Sequence, residues 1–484
     1  MTWPAVLSWI LIFAGLLPRS PLFLLYLFFG FGAFGSLTLL PSDSGSVNLL
    51  PQAVCSIFLI CKIVFSKGQL SRAVDMAIDP AKLGLFFAFT GYAVFSAYAM
   101  PRFFAHMVEV IDLNSVIAPW AIPLEPRSTN VSQSVYATLS CGIALAFSLA
   151  GGNASFRRHY LQAILVGGLF FIATGFADMM FTESHEELLE PFRNAHYSLL
   201  TDHEILGSKR IVGLMPEASG YGPPCVVAAA SLTFLRPCYE KVWLRNYLVP
   251  LTIAGLLAMA WLSQSSTAYI GLAAFAVVFA VNWLRRTLSP YTPAPDGLKW
   301  EAIIVLVAAM TLLGLAAAVP HALDHIYDKI DAIIFKKSES ESYAERTEWT
   351  RVAWEAFFAT DGLGVGLGSA RTSDWFVAVL SNTGILGTAL LSSFILRLYF
   401  LRCRSADPRI IEFVAALKLS LLPWFATSAA SWFTPDMGVE VASTLGLIST
   451  LTVTGGMSSI RSGATIARQI RARGAHSPHE NGET

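Results

Sequence analysis

Glu345-Arg346-Thr347-Glu348-Trp349-Thr350-Arg351-Val352-Ala353-Trp354-Glu355-Ala356-Phe357-Phe358-Ala359-Thr360-Asp361-Gly362-Leu363-Gly364-Val365-Gly366-Leu367-Gly368-Ser369-Ala370-Arg371-Thr372-Ser373-Asp374 is a polar, aromatic-rich island between two long apolar spans. Its first half predicts an amphipathic helix over Arg346–Ala359. Trp349, Ala353 and Phe357 recur at i, i+4 and i+8, and Arg351 and Glu355 form an i,i+4 pair. Asp361-Gly362 ends the helix, and the alternating glycines Gly362, Gly364, Gly366 and Gly368 predict a tight turn with exposed backbone N–H groups. Amides beside the guanidinium groups of Arg346, Arg351 and Arg371 would make a site for phosphate or another anion. The plainer reading is a surface helix and loop whose arginines make ordinary salt bridges. The rest of the chain decides between them.

That remainder is apolar. The sequence is 54% hydrophobic and 14% charged, with mean hydropathy +0.56, whereas soluble domains carry about 25% charged residues. An all-α polytopic membrane protein is expected. Net charge is zero and gives no sign of a nucleic-acid partner. The six cysteines show no CxxC spacing and avoid the long polar loops, which argues against a disulfide framework or zinc site. The apolar N-terminus lacks a charged leading region and a cleavage site, so it is read as retained.

Apolar runs long enough to span fall near 21–40, 49–65, 81–99, 134–150, 160–177, 222–235, 246–262, 267–284, 301–319, 374–396, 410–427 and 438–457. Residues 3–17 either span or form a half-hairpin, so about 12–13 transmembrane helices are expected. The loops alternate between two kinds. One is short and basic, such as Arg157/Arg158, Arg236/Lys241/Arg245 and Arg397/Arg402/Arg404/Arg409. By the positive-inside rule these are cytoplasmic. The others are external, two of them long: 178–221, rich in acids, and 320–373, holding the island. The expected organisation is therefore N-terminal spans (1–177), an acidic external loop (178–221), central spans (222–319), the large external loop (320–373), C-terminal spans (374–460) and a disordered cytoplasmic tail (461–484). Long structured loops are usually functional, which places polar chemistry outside.

Several further residues are candidates. Arg210-Ile211-Val212-Gly213-Leu214-Met215-Pro216-Glu217-Ala218-Ser219-Gly220-Tyr221 leads into a span. It reads as an ordinary helix start, or as Arg210, Glu217 and Tyr221 facing the island with Glu217 as a base. Ser263-Gln264-Ser265-Ser266-Thr267 is either a hydroxyl-capped hairpin turn or a set of donors, Ser263 and Ser265 among them. Asp374 opens the following span as a cap or a base. His321, Asp324, His325 and Asp328 share a helical face at metal-ligand spacing, though capping and solvation explain them better. Lys418, mid-span, is either functional or snorkels inward. There is no Walker loop, Asp-x-Asp, GxSxG or HExxH, nor an obvious repeat between halves, which weakens a transporter reading. An external site sees no ATP, so its substrate must arrive already activated.

Arg346-Thr347-Glu348-Trp349, then Gly364-Val365-Gly366-Leu367-Gly368, then Asp374-Trp375-Phe376 through Leu380-Ser381-Asn382-Thr383-Gly384-Ile385-Leu386-Gly387, resembles the O-antigen ligase/polymerase superfamily over roughly residues 200–400. This superfamily includes Wzy-type polysaccharide polymerases. The Pro216-Glu217-Ala218-Ser219 and Ser263–Thr267 pieces match more loosely. The resemblance implies a GT-C-like, metal-independent and cofactor-free inverting glycosyltransferase in the bacterial inner membrane, its active site facing the periplasm. It implies an undecaprenyl-diphosphate-linked oligosaccharide as substrate, with a chain-length regulator and a flippase of the same pathway as partners. Arg210, Arg346 and Arg351 would contact the diphosphate or acceptor, and Glu217 or Asp374 would be the base. Ligases of the group carry a His-Asn pair where this chain has Ser373-Asp374, and an arginine near the place of Thr267. Both departures favour a polymerase over a ligase. A transporter or flippase of lipid-linked sugars is the reading from another class.

Overall fold

A computed structural model describes residues 1–40, 48–113, 120–181, 186–195, 199–200, 204–205, 208–288 and 341–452. The 301–319 span, the His321–Asp328 set and the 461–484 tail lie outside the described residues. Within them the chain is an all-α polytopic membrane protein. Seven helices are long and apolar enough to cross a bilayer: Gly84–Phe103, Ser128–Ala150, Ala154–Met180, Leu244–Leu262, Ser266–Leu288, Trp375–Phe400 and Pro408–Ser431. Trp3–Ala14, Leu22–Ala33, Pro51–Val64 and Val439–Thr452 are shorter apolar helices. The only strands among the described residues are two small antiparallel hairpins, pairing Glu109 with Pro123 and Glu204 with Lys209.

Ala218–Leu235 is the central helix, packed against Ala154–Met180, Val249–Leu262, Ser266–Leu288 and Pro408–Ser420. With no water to drive association inside a bilayer, helices meet where small residues allow close approach. Gly167 is one such place, since a Cβ there would lie 2.9 Å from the carbonyl oxygen of Phe29. Buried aromatics such as Tyr160, Phe28, Phe147 and Phe394 fill the wider gaps.

Several predicted spans are shorter than expected, for identifiable reasons. The 21–40 run is helical only to Ala33, because Ser36 and Thr38 donate their N–H groups to the Leu214 carbonyl (2.9 Å) and the Asn194 side chain (2.8 Å). The backbone leaves the helix but keeps its hydrogen bonds, as apolar surroundings require. The 410–427 run, by contrast, lies within the longer Pro408–Ser431 span, interrupted only at Leu421, two residues before Pro423. Lys418 caps the preceding helix, its Nζ donating to the carbonyls of Tyr399 (3.1 Å) and Leu401 (2.7 Å).

The island forms a cap with its own small core. Phe104, Val108, Val110 and Leu124 pack against Ala353, Ala356, Val365, Ala370 and Val377. The helix runs Glu341–Ala359 and stops where Asp361 and Gly362 take positive φ (50° and 77°).

Candidate functional site

The site begins with a buried acid. Asp178, fully buried near the end of the Ala154–Met180 helix, pairs with Arg193 (2.8 Å) and Lys209 (3.6 Å). Its other oxygen accepts the N–H groups of Val212 (2.8 Å) and Gly213 (3.1 Å). These bonds fix the chain from Lys209 to Gly213, and so fix where Arg210 stands. The Arg210 side chain reaches the turn between the next two spans, its Nε lying 3.4 Å from the Ser263 carbonyl oxygen.

Arg371 comes from the other side. Its backbone N–H donates to the Ile111 carbonyl (2.9 Å), and its guanidinium lies 3.9 Å from the Trp349 ring centroid, with Nη1 on the Leu113 carbonyl (3.4 Å). This stacked geometry is one that arginine makes and lysine does not. Among the described residues, Arg371 Nε and Trp349 Nε1 are both buried without a hydrogen-bond partner. Such buried donors beside a desolvated cation are chemically suited to an oxygen-rich ligand.

Burial pulls the pKa of both guanidiniums below the usual arginine value. In both, the Glu217 carboxylate opposes that shift and the Arg346 charge adds to it. Arg210, from the segment entering the central helix, and Arg371, from the island, therefore each sense both Glu217 and Arg346. Arg346 is anchored through its carbonyl, which accepts from Ser373 Oγ (3.1 Å) and Thr350 Oγ1 (3.0 Å). Glu217 occupies the N-cap position of Ala218–Leu235 without capping it, and its carboxylate accepts the hydroxyl of Ser219. Glu345 and Asp112 also act on Arg371, so the guanidiniums stand among several carboxylates at the mouth of an apolar bundle, a cluster chemically able to meet an anion.

Other predicted site residues have different employment. Tyr221 is fully buried and donates to the Phe171 carbonyl (2.7 Å), so it packs the bundle and does not face a ligand. Arg351 lies on the exposed face of its helix between Glu348 and Glu355. It makes the ordinary surface pairs that the plainer reading foresaw. The Ser263 hydroxyl donates back to the Ala260 carbonyl (2.7 Å), and Ser265 Oγ faces the Ala268 N–H at the next helix start (3.5 Å). Ser263 meets the site only through the carbonyl under Arg210. Asp374 caps its helix, with Oδ1 accepting from Phe376 (2.8 Å) and Val377 (3.2 Å).

The glycine run also differs from expectation, because most of its amides are occupied. Gly364 donates to Thr360 Oγ1, Val365 to the Ser381 carbonyl, Gly366 to the Asn382 carbonyl and Leu367 to Ser96 Oγ. Ser369 and Ala370 both donate to Asn382 Oδ1 at 3.1 Å. Gly384, with φ +63°, kinks the Trp375–Phe400 helix and exposes the carbonyls that accept these bonds. The run is a structural clasp.

Trp349, Asp178 and Asn382 are the contributors that the residue pattern did not single out. An acid closing an apolar span was the available signal for Asp178, and the tryptophan three residues after Arg346 was the signal for Trp349. Compared with known protein families and with curated proteins, the chain shows no match to either.

Proposed function

We propose that the chain is a membrane glycosyltransferase that joins undecaprenyl-diphosphate-linked oligosaccharide repeat units into a polysaccharide at the outer face of a bacterial inner membrane. The observation that carries this reading is the gathering of Arg210, Arg346 and Arg371 around Glu217. In the reaction, an acceptor sugar hydroxyl attacks the anomeric carbon of the donor. The bond from that carbon to the diphosphate oxygen breaks as the new glycosidic bond forms, with inversion. Glu217 takes the hydroxyl proton, and the negative charge left on the lipid diphosphate falls to the guanidiniums, which stabilise the leaving group as its charge develops. The Trp349 ring fixes the Arg371 plane, so the donors are oriented before the substrate arrives.

The resemblance of residues 200–400 to the O-antigen ligase/polymerase superfamily supports the same reaction. Polymerase is favoured over ligase because Ser373 is tied to the Arg346 carbonyl (3.1 Å) and Asp374 to its own helix, so neither stands in for a catalytic His-Asn pair.

The test is purified protein in lipid with an undecaprenyl-diphosphate repeat unit and no nucleotide. A product ladder spaced by whole repeat units is expected. No ladder, with repeat units instead moved between leaflets, would show a carrier and end the enzymatic reading.

A further inference from the structure

A second built feature lies at the opposite end of the Ala154–Met180 helix from Asp178 and the arginines. At about 1.5 Å per residue the helix separates Arg158 from Asp178 by roughly 30 Å. Here a cleft of about 310 Å³ opens between the start of this helix and the connection into the Leu244–Leu262 span. Leu161 and Leu244 lie among its lining residues, and Arg158 and Lys241 contribute cationic groups.

The wall is held rigid by a polar network. Tyr26 Oη lies 2.9 Å from His159 Nδ1 and donates to Gln162 Oε1 (2.7 Å), while Tyr239 donates to the Leu161 carbonyl (2.6 Å). The cations are not saturated. Arg158 has Glu240 as its only ion-pair partner among the described residues, at 3.6 Å and half in solvent, and Lys241 has none there. Most of the guanidinium donors therefore remain available for an anion.

The segment that forms one wall of the cleft also carries exposed apolar surface. Leu244 belongs to a π-turn, Leu244–Leu248, a form found often at functional sites. This segment leaves Trp243, Tyr247 (73% exposed) and Leu251 (70% exposed) facing outward. Tryptophan and tyrosine at a helix end lie at headgroup depth in a bilayer, with the aliphatic residue below them at acyl depth. A free anion would need only the cations, whereas this surface offers cations, interfacial aromatics and an apolar track in sequence.

We propose that the cleft binds an anionic phospholipid, its phosphate held between Arg158 and Lys241 and its chains lying along Trp243, Tyr247 and Leu251. The basic loops at this end place the lipid in the inner leaflet.

Native mass spectrometry of the full chain, released from bilayers of phosphatidylglycerol and phosphatidylcholine in equal amounts, tests the assignment. Wild-type protein should retain phosphatidylglycerol preferentially. Loss of two interfacial cations in the Arg158→Ala/Lys241→Ala variant should weaken that retention roughly thirtyfold. Glu240→Gln, which removes the competing carboxylate without removing a cation, should strengthen it and so guards against a folding artefact. Equal retention of both lipids, or no change in either variant, would overturn the proposal. Titration with inorganic phosphate separates the sources. Phosphate binding as tightly as the lipid would make this a soluble-anion site and overturn the lipid assignment, whereas phosphate that competes only at far higher concentration would support it. The repeat-unit ladder is a separate readout, so this inference and the proposed reaction fail independently.

Discussion

Glu217 and Asp374 are both carboxylates at helix N-termini, yet their environments separate them. Asp374 holds two backbone amides through Oδ1, and losing such a cap costs about 1 kcal/mol. Glu217 caps nothing, takes a hydroxyl from Ser219 and acts on two half-buried guanidiniums. Glu217→Gln should therefore slow polymer formation by about 10²–10⁴-fold, the range for a lost general base, without lowering the melting temperature. Asp374→Asn should leave the ladder intact, and a silent Asp374→Asn of normal stability would transfer the base to Asp374. Among the cations, Arg371→Ala and Arg210→Ala should each cost on the order of 10²–10³ in rate, as for the loss of one donor to a developing anion. Arg351→Ala, removing only exposed pairs, should stay near wild type. A different carboxylate gives a pH signature. Asp436, in the connection between Leu422–Ser431 and Val439–Thr452, is pushed up to about 6 by burial, partly offset by hydrogen bonds that include the N–H groups of Gly438 and Met437. Its folded value stands above the usual carboxylate value near 3.9, so the folded state binds the extra proton. Stability is highest below that ordinary value and falls as pH rises through about 6. Asp436→Asn should melt higher than wild type at pH 7 and alike at pH 4, and a variant less stable at pH 7 would contradict this.

The element that holds the site together is the glycine clasp. A Cβ at Gly364 would sit 2.6 Å from the Gly384 nitrogen, at a φ of +82°, so Gly364→Ala combines backbone strain with a clash. Such strain costs roughly 1–3 kcal/mol before any clash is counted. Asn382→Ala strands the buried amides of Ser369 and Ala370, at about 1–3 kcal/mol for each unsatisfied group. Both variants should lose folded protein on size exclusion before they lose rate per folded molecule; normal yield with a slow rate would instead point to direct contact with substrate. The sequence is legible here up to a definite limit. Helix period, the Asp361-Gly362 stop and the need for positive φ are properties of the local chain, and the residues announce them. That the amides are consumed depends on carbonyls freed by a kink at Gly384, twenty residues away, which no local pattern carries. At Tyr221 and Ser263 the plainer of the two readings holds, for a related reason. Polar groups near a membrane boundary look available, but a bond to a carbonyl on a neighbouring turn or helix satisfies them invisibly. That Arg210 and Glu217 face the island is one of the two readings the sequence allows, but the pairing of Arg210 with Arg371 in particular is not. Asp178 lies outside the motifs of both loops, and Trp349, though inside the Arg346–Trp349 piece, carries no local sign that its ring stacks on Arg371.

At the scale of the whole molecule, the proposed reaction requires the arginine site and the basic loops to lie on opposite sides of one bilayer. The fold gives this a test that does not depend on activity. Among the free cysteines, Cys61 is the exposed one and stands near the end of Pro51–Val64, while Cys238 and Cys403 are half-buried beside the basic connections. Cys55, Cys141 and Cys225 are buried in the bundle. Native thiols that a reagent can reach are thus confined to the end away from the island. A membrane-impermeant maleimide added to intact spheroplasts should leave wild-type protein unlabelled, and permeabilisation should expose Cys61. The Thr347→Cys variant, which puts a thiol at an exposed position of the Glu341–Ala359 helix, should label before permeabilisation. The opposite pattern, with Cys61 reached from outside and the thiol introduced by Thr347→Cys reached only after lysis, would put three guanidiniums and Glu217 in the cytoplasm. There nucleotide-activated donors are plentiful and a pre-activated lipid-linked substrate is unnecessary. That single inversion would remove the reason for choosing a lipid diphosphate, and would also move the Arg158–Lys241 cleft to the outer leaflet.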